Sequence, residues 1–181
     1  MEPVTLQEIK SACRIDQDST SEDDDLMLMA GAARELLEKQ LNIGLVPQEL
    51  ELQFDGRKME LPMSPTIRII SVKDSAGEDV AYSTDNYQAK SIWVDQEGSL
   101  LGNWEYWPNN GYVEFTPYSN GKCEMYTVRY ETGYETLPYG LKNALLLQVS
   151  YLYLTRGEPV SSPISQNALQ LARQYSRNLV L

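Results

Sequence analysis

The sequence predicts an α+β chain: a helical bundle of about four helices, with a small antiparallel β unit inserted between the second and third. Three observations carry this. Hydrophobic spacing changes along the chain from a period of 3.6 to a period of 2 and back to 3.6. Helix start and stop signals bracket the first helical stretch. The 181 residues, 42% of them hydrophobic, suffice for the core of one domain. The expected segmentation is an N-terminal helical part over 1–47, a β insertion over 48–131 and a C-terminal helical part over 132–181, together one compact domain.

The first helix is expected over 5–13. Thr5 with Glu8 three residues on forms a capping box, and Leu6, Ile9 and Cys13 share one face with Lys10 off it. Residues 16–25 hold six acids and no base. They read as a solvated connector, since the Gly and terminal Glu of a calcium loop are absent. Ser21 with Asp24 suggests a second N-cap, and the acids suit a helix dipole.

The second helix is expected over 22–41. Leu26, Met29, Ala30, Ala33, Leu37 and Leu41 form its apolar stripe, and Arg34/Glu38 and Glu35/Lys39 form i,i+4 pairs on the other side. Asn42-Ile43-Gly44 stops it and Pro47 follows.

From Gln48 the apolar residues alternate: Leu50, Leu52 and Phe54 against Glu49, Glu51 and Gln53. Asp55-Gly56 signals a turn, with Lys58–Leu61 as a partner strand. Pro62-Met63-Ser64-Pro65 breaks the pattern. Further strands are expected over 67–73, 80–82, 87–94, 112–116 and 124–130, with turns at 75–78 and at Ser119-Asn120-Gly121. Residues 95–111 are irregular.

After Gly133 the helical period returns over 138–156, where Pro138 suits a first turn. Leucines spread around most of that cylinder, so it is expected at the centre of the packing. Pro159 and Pro163 fix an extended link. A last helix over 166–178 has Ala168, Leu171, Ala172, Tyr175 and Leu179 on one face.

Composition excludes several chemistries. There is no histidine, which removes histidine triads, histidine metal sites and histidine bases. Cys13 and Cys123 lack metal spacing and read as two thiols. No phosphate-binding glycine loop or Gly-x-Ser-x-Gly elbow occurs. No membrane span is present, and the opening Met1-Glu2-Pro3-Val4-Thr5 leads us to expect a cytoplasmic product. The net charge of −11 argues against wrapping DNA, which needs clustered bases. It is compatible with the wall of a channel through which DNA slides without sticking, and equally with plain solubility.

The ligand-like feature is the aromatic cluster Trp93, Trp104, Tyr106, Trp107 and Tyr112. Exposed, Trp104 and Trp107 would stack on sugar rings in a carbohydrate-binding module. Buried, the cluster forms β core or an intersubunit contact. A two-carboxylate hydrolase remains open on composition, but no pair is marked. Residues 156–181 carry Arg156, Arg173 and Arg177 against Glu158, a net of +2, while the rest of the chain holds 12 bases and 25 acids, a net of −13. A positive arm on an acidic body suits docking onto an acidic neighbour.

The order of these elements resembles a known family. Glu2-Pro3-Val4-Thr5-Leu6-Gln7-Glu8-Ile9-Lys10 followed by Cys13-Arg14-Ile15-Asp16 is similar to the opening of tailed-bacteriophage head–tail connector (adaptor, head-completion) proteins. The helix ending in Asn42-Ile43-Gly44 resembles their next segment. Arg129-Tyr130-Glu131-Thr132-Gly133-Tyr134, Leu137-Pro138 and the leucine helix through Tyr151-Leu152-Tyr153-Leu154-Thr155-Arg156-Gly157 resemble their signature. The β stretch is similar to that of the longer members.

The resemblance implies a non-enzymatic virion protein without cofactor, residing at the head–tail junction and in the bacterial host cytoplasm before assembly. Its expected partners are itself, in a homo-oligomeric ring of twelve, then the portal protein and a head-closure or tail protein. DNA would only pass through. Two site expectations follow. Arg156, Leu171, Arg173, Tyr175 and Arg177 form a portal-docking arm, whose apolar face could instead fold back on the central helix. Asp23, Asp24, Asp25 and Glu97 face the channel, or else face bulk solvent. The charged side of the second helix and parts of the β unit are expected at subunit contacts.

Overall fold

The computed structural model describes residues 2–55, 58–80, 82–84, 91–94, 125–156, 158 and 162–176. Elements follow in the order α1 (Leu6–Cys13), α2 (Asp23–Leu41), β1 (Gln48–Asp55), β2 (Lys58–Glu60), β3 (Thr66–Lys73), β4 (Tyr82–Thr84), β5 (Ser91–Val94), β6 (Met125–Thr132), α3 (Tyr139–Leu154) and α4 (Gln166–Ala172), the last continued by a 3-10 turn, Arg173–Tyr175. The α+β class stands, with the strands lying in the chain between α2 and α3. The expected strands at 112–116 and the Asn-Gly turn after them lie outside the described residues.

The chain divides into a helical unit (Met1–Gln48, Met63–Pro65, Thr132–Leu181) and a β unit (Glu49–Pro62, Thr66–Glu131).

In the helical unit, α1 starts as its sequence dictates. Glu8 N donates to Thr5 Oγ1 at 3.3 Å and Thr5 N donates to Glu8 Oε2 at 2.9 Å, each satisfying an orphan donor of the first turn. For α2 the expectation needs correcting. Its N-cap is Glu22 and no side chain caps it, so Ser21 does not play that role. Three acids in the first turn, Asp23, Asp24 and Asp25, complement the positive helix end instead. Asn42, at φ 53, closes the helix in the left-handed conformation that asparagine tolerates.

The apolar stripe of α2 packs as its spacing requires: Leu26, Ala30, Ala33 and Leu37 are fully buried, with Leu141, Ala144, Leu145 and Val149 of α3 in the same core. The Arg34/Glu38 pair is not a surface pair. Glu38 is buried and takes Arg34 Nη1 at 2.9 Å and the Leu45 backbone N–H at 2.8 Å, while Arg34 also binds Glu2. A carboxylate placed there satisfies backbone just past the helix end, which a polarity pattern alone does not reveal.

Three passages of chain are knitted together on the helical side. Gly44 N donates to Ser64 O (2.9 Å), Ser64 N to Asn42 O (3.2 Å) and Gly133 N to Pro65 O (2.9 Å), and Thr132 Oγ1 also donates to Pro65 O (2.8 Å). Gly133 is required here. Its φ is +119, and a Cβ would lie 2.1 Å from the Val46 carbonyl oxygen.

Among the described residues the β unit holds two three-stranded sheets, ordered β1-β6-β3 and β2-β5-β4. β2 pairs antiparallel with β5 (Lys58↔Trp93), not with β1 as the Asp55-Gly56 turn suggested, and β4 flanks β5 antiparallel on the other side. Along β1 the alternation is observed as read, with Glu49, Glu51 and Gln53 exposed and Phe54 buried. Tyr126, Val128 and Tyr130 of β6 join Phe54, Leu61 and Val72 in this unit's core. Around the expected turn at 75–78, Asp74 Oδ1 accepts from the Ala76 and Glu78 N–H groups, both at 2.9 Å, and Gly77 takes φ 87.

Candidate functional site

The helical unit carries the features from which an assembly site can be built. At the junction of α1 and α2, Lys10 is buried at 3% exposure. Its ammonium meets Asp23 Oδ1 (2.7 Å), Ser19 O (2.6 Å) and Gln17 O (3.3 Å). Two backbone carbonyls accept hydrogen bonds from the ammonium, and the Asp23 carboxylate pairs its charge inside the fold. The acidic stretch is therefore folded around a buried cation and is not a plain solvated connector. It was invisible to the sequence reading, which placed Lys10 off the core. The signal that could have found it is the absence of any base among six acids, with a lysine six residues upstream.

Beside it, Glu22 ties α2 to the end of α3. Tyr153 Oη donates to Glu22 Oε2 at 2.9 Å, Arg156 Nη1 to Glu22 Oε1 at 2.9 Å, and the Arg156 guanidinium lies 4.3 Å from the Tyr153 ring centroid. The Tyr153 hydroxyl and then Arg156 hold the Glu22 carboxyl below its usual range. Glu22 in turn raises Tyr153. Glu8 is lowered likewise, first by Lys142 of α3 and then by the Thr5 N–H.

Both carboxylates are depressed, so their contribution is present above about pH 4.5 and lost as pH falls through their lower folded values. We expect the urea midpoint to stay level from pH 7 to about 4.5 and to fall below it. Replacing Glu8 and Glu22 by Gln should make that acid-side fall shallower. An unchanged slope would show that neither pair contributes.

The expected channel acids divide. Asp23 is engaged by Lys10; Asp24 and Asp25 are exposed; Glu97 lies outside the described residues. The expected arm divides too. Arg156 is half-exposed in its pair with Glu22, and Arg173 is exposed. Leu171 and Tyr175 are part-buried against the helical core, and Arg177 and Leu179 lie outside the described residues.

The arm is rooted on α3. Gln148, fully buried, donates to Pro163 O and accepts from Ser165 N–H, both at 2.9 Å, and Tyr151 Oη donates to Ser162 O at 2.8 Å. Ala168, Leu169 and Ala172 are buried in the core, and Tyr175 lies against Gly140, where a Cβ would stand 2.5 Å from its hydroxyl. The apolar face of α4 thus folds back on the central helix.

An open groove of about 670 Å³ runs between α1 and α3, lined by polar Gln7, Ser11, Asn143 and Ser150 and by Leu146 and Leu147. Exposed apolar side chains lie elsewhere: Leu28 (75%) with Met27 on α2, and Tyr139 (91%) and Leu154 (73%) on α3. Among the described residues no cluster of acids and thiols could hold a metal, and no helix is long and apolar enough to cross a membrane. Trp104, Tyr106, Trp107 and Tyr112 lie outside the described residues, and for Trp93 only the backbone position in β5 is described.

A family model, the phage gp6-like head-tail connector protein, matches residues 3–97. No curated protein matches the chain. Solved structures share its fold. A chain from the neck of an empty gene transfer agent (GTA) particle computed with C6 symmetry is similar over 99% of this chain and 92% of its own, at 16% identity and a TM-score of 0.68. A chain from the virion of the native particle gives 0.66 at 17% identity over 99% and 91%. One from a native neck computed with C12 symmetry gives 0.61 at 18% identity over 98% and 93%.

Proposed function

We propose, because the chain belongs to the phage gp6-like head-tail connector family, that it is a structural subunit of a virion neck. In this reading copies close into a ring of twelve beneath the portal, lengthen the DNA channel and offer a platform to a head-closure or tail protein. The observation that carries it is the family match over residues 3–97, and the fold shared with neck chains of six- and twelvefold symmetry supports it. The role is mechanical. A closed ring needs two different surfaces on each subunit, set so that the rotation closes.

The acids suit the channel part of the proposal. Repeated around a ring, each inward carboxylate becomes a circle of negative charge that repels phosphate within about 8 Å at physiological salt. With Glu22 and Asp23 engaged internally, Asp16 and Asp18 of the folded loop, both exposed, join Glu97 as the acids proposed to face DNA.

The positive C-terminal segment is the proposed contact to the portal. Its apolar face is taken up by α3, so the contact falls to its charged side and to the residues after Ser176, including Arg177. Removing the whole arm would uncover the central helix and unfold the chain. Removing only residues 177–181 leaves Ile164, Ala168 and Ala172 in place. We expect that truncation to melt within a few degrees of the full chain and to bind purified portal rings about tenfold more weakly, the loss of one charged contact of about 1.4 kcal/mol. Unchanged portal affinity would remove the arm from the proposal.

A further inference from the structure

We propose that neighbouring copies join head to tail, the start of α2 on one copy meeting the start of α3 on the next. This rests on the ring reading and names the two surfaces that would close it.

The first surface is acidic and apolar together. Asp24, Asp25, Met27 and Leu28 are all exposed within the first turn and a half of α2, and i,i+3 and i,i+4 spacing places the two acids beside the two apolar side chains. The acids have an internal reason, the helix dipole. Leu28 has none. It leaves a full leucine in water at a helix position where any polar residue would serve.

The second surface is aromatic and electropositive. Tyr139 is the most exposed large hydrophobic side chain among the described residues, at 91%. Next to it, Gly140 packs against Tyr175, which brings the 3-10 turn and the exposed Arg173 to the same end of the helical unit. The start of α3 adds to this positive character: its N-cap is Pro138, no side chain caps it and its first turn holds no acid. The connector 133–138 carries a single acid, Glu135.

Within one copy the two surfaces cannot satisfy each other. Glu22, at the start of α2, is bonded to Tyr153 and Arg156 at the far end of α3. From Tyr139 to Tyr153 the helix rises about 21 Å. An acidic apolar patch and a basic aromatic patch at opposite ends of the helical unit are what a heterologous contact between identical chains requires. Tyrosine and arginine are the residue types that anchor such joints.

Self-association of the full-length protein alone, followed by sedimentation over a range of concentrations, tests this. Leu28→Glu and Tyr139→Glu should each weaken it by about tenfold or more, the equivalent of one buried leucine side chain. Met125→Gln, an exposed apolar position in the β unit, should leave it unchanged. Asp24→Lys with Asp25→Lys should weaken it, Arg173→Glu should weaken it, and the triple variant should recover most of the loss. All these positions are exposed, so melting temperatures should stay near that of the unsubstituted chain, except for Asp24→Lys with Asp25→Lys, which gives up the acids' match to the start of α2 and should melt lower. Oligomers that persist in every variant, or charge swaps that fail to rescue each other, would overturn the joint and leave the ring reading standing. A natural chain that shows no oligomer alone or on portal rings would overturn the ring reading, and the joint with it.

Discussion

Gly133→Ala should be the most damaging single substitution in the chain, costing about 3–5 kcal/mol and in practice abolishing soluble expression. Two penalties act together. The φ of +119 lies in a region essentially reserved for glycine, and a Cβ would sit 2.1 Å from the Val46 carbonyl oxygen and 3.0 Å from the Pro47 nitrogen. Neither neighbour can move freely. Both are backbone, directly following Gly44 and Leu45, whose N–H groups are bonded to Ser64 O and to Glu38. Gly77→Ala makes an instructive contrast. Its φ is also positive, at 87, but nothing lies within 4 Å of its Cβ position. It should cost only about 1 kcal/mol. Equal effects on the thermal midpoint at the two positions would show that the close approach to Val46 contributes nothing.

Lys10→Met should lower stability by about 2–4 kcal/mol, or roughly 5–15 °C in the melting temperature of a chain this size. Methionine keeps the volume and removes the charge. The Ser19 and Gln17 carbonyls then lose their donor. Asp23 Oδ1, closed off from solvent and without a hydrogen bond among the described residues, loses its counter-ion. The exposed control is Asp24→Asn, expected within about 0.5 kcal/mol of the parent. Hydrogen exchange should show the amides of 16–22 opening in Lys10→Met while those of α3 stay protected. Retained protection of 16–22 would mean that the acidic loop is ordered by something other than Lys10.

The comparison of these two positions shows how far local sequence reaches. Gly133 was legible as the point after which the helical period returns, and not as a position that only glycine can fill. Why it is special depends on Val46, 87 positions away. Helix ends were readable because their causes are local: Thr5 with Glu8 at the start of α1, Asn42 at the end of α2. Lys10 was misplaced because polarity assigns a charged residue to the outside, and its acceptors are backbone oxygens that carry no identity in the sequence. Strand existence followed from period 2, but the pairing of β2 with β5 did not, since Asp55-Gly56 reports a local turn and pairing is set by contacts distant in the chain.

The candidate surfaces divide the same way. The amphipathic face of α4 was visible, but amphipathicity states that a face is covered and not by what. The packing of Leu169 and Ala172 with Leu141 and Leu145, and the Gln148 bonds to Pro163 and Ser165, show that α3 covers it. The acid count predicted an acidic surface near 16–25. Which acids remain available follows from Lys10, Tyr153 and Arg156. The exposure of Leu28 and Tyr139 had no sequence signal at all, because each falls in a helix where most leucines and aromatics are buried or half-buried.

The central claim, that this chain is a ring-forming connector subunit docking on a portal, is tested most directly by the mass of purified portal rings before and after saturation with the protein, measured by native mass spectrometry. The account predicts a discrete gain of twelve copies of the 20.5 kDa chain per portal ring, with no partial occupancy at saturation. No gain in mass, or a gain that rises gradually without a defined stoichiometry, would contradict it.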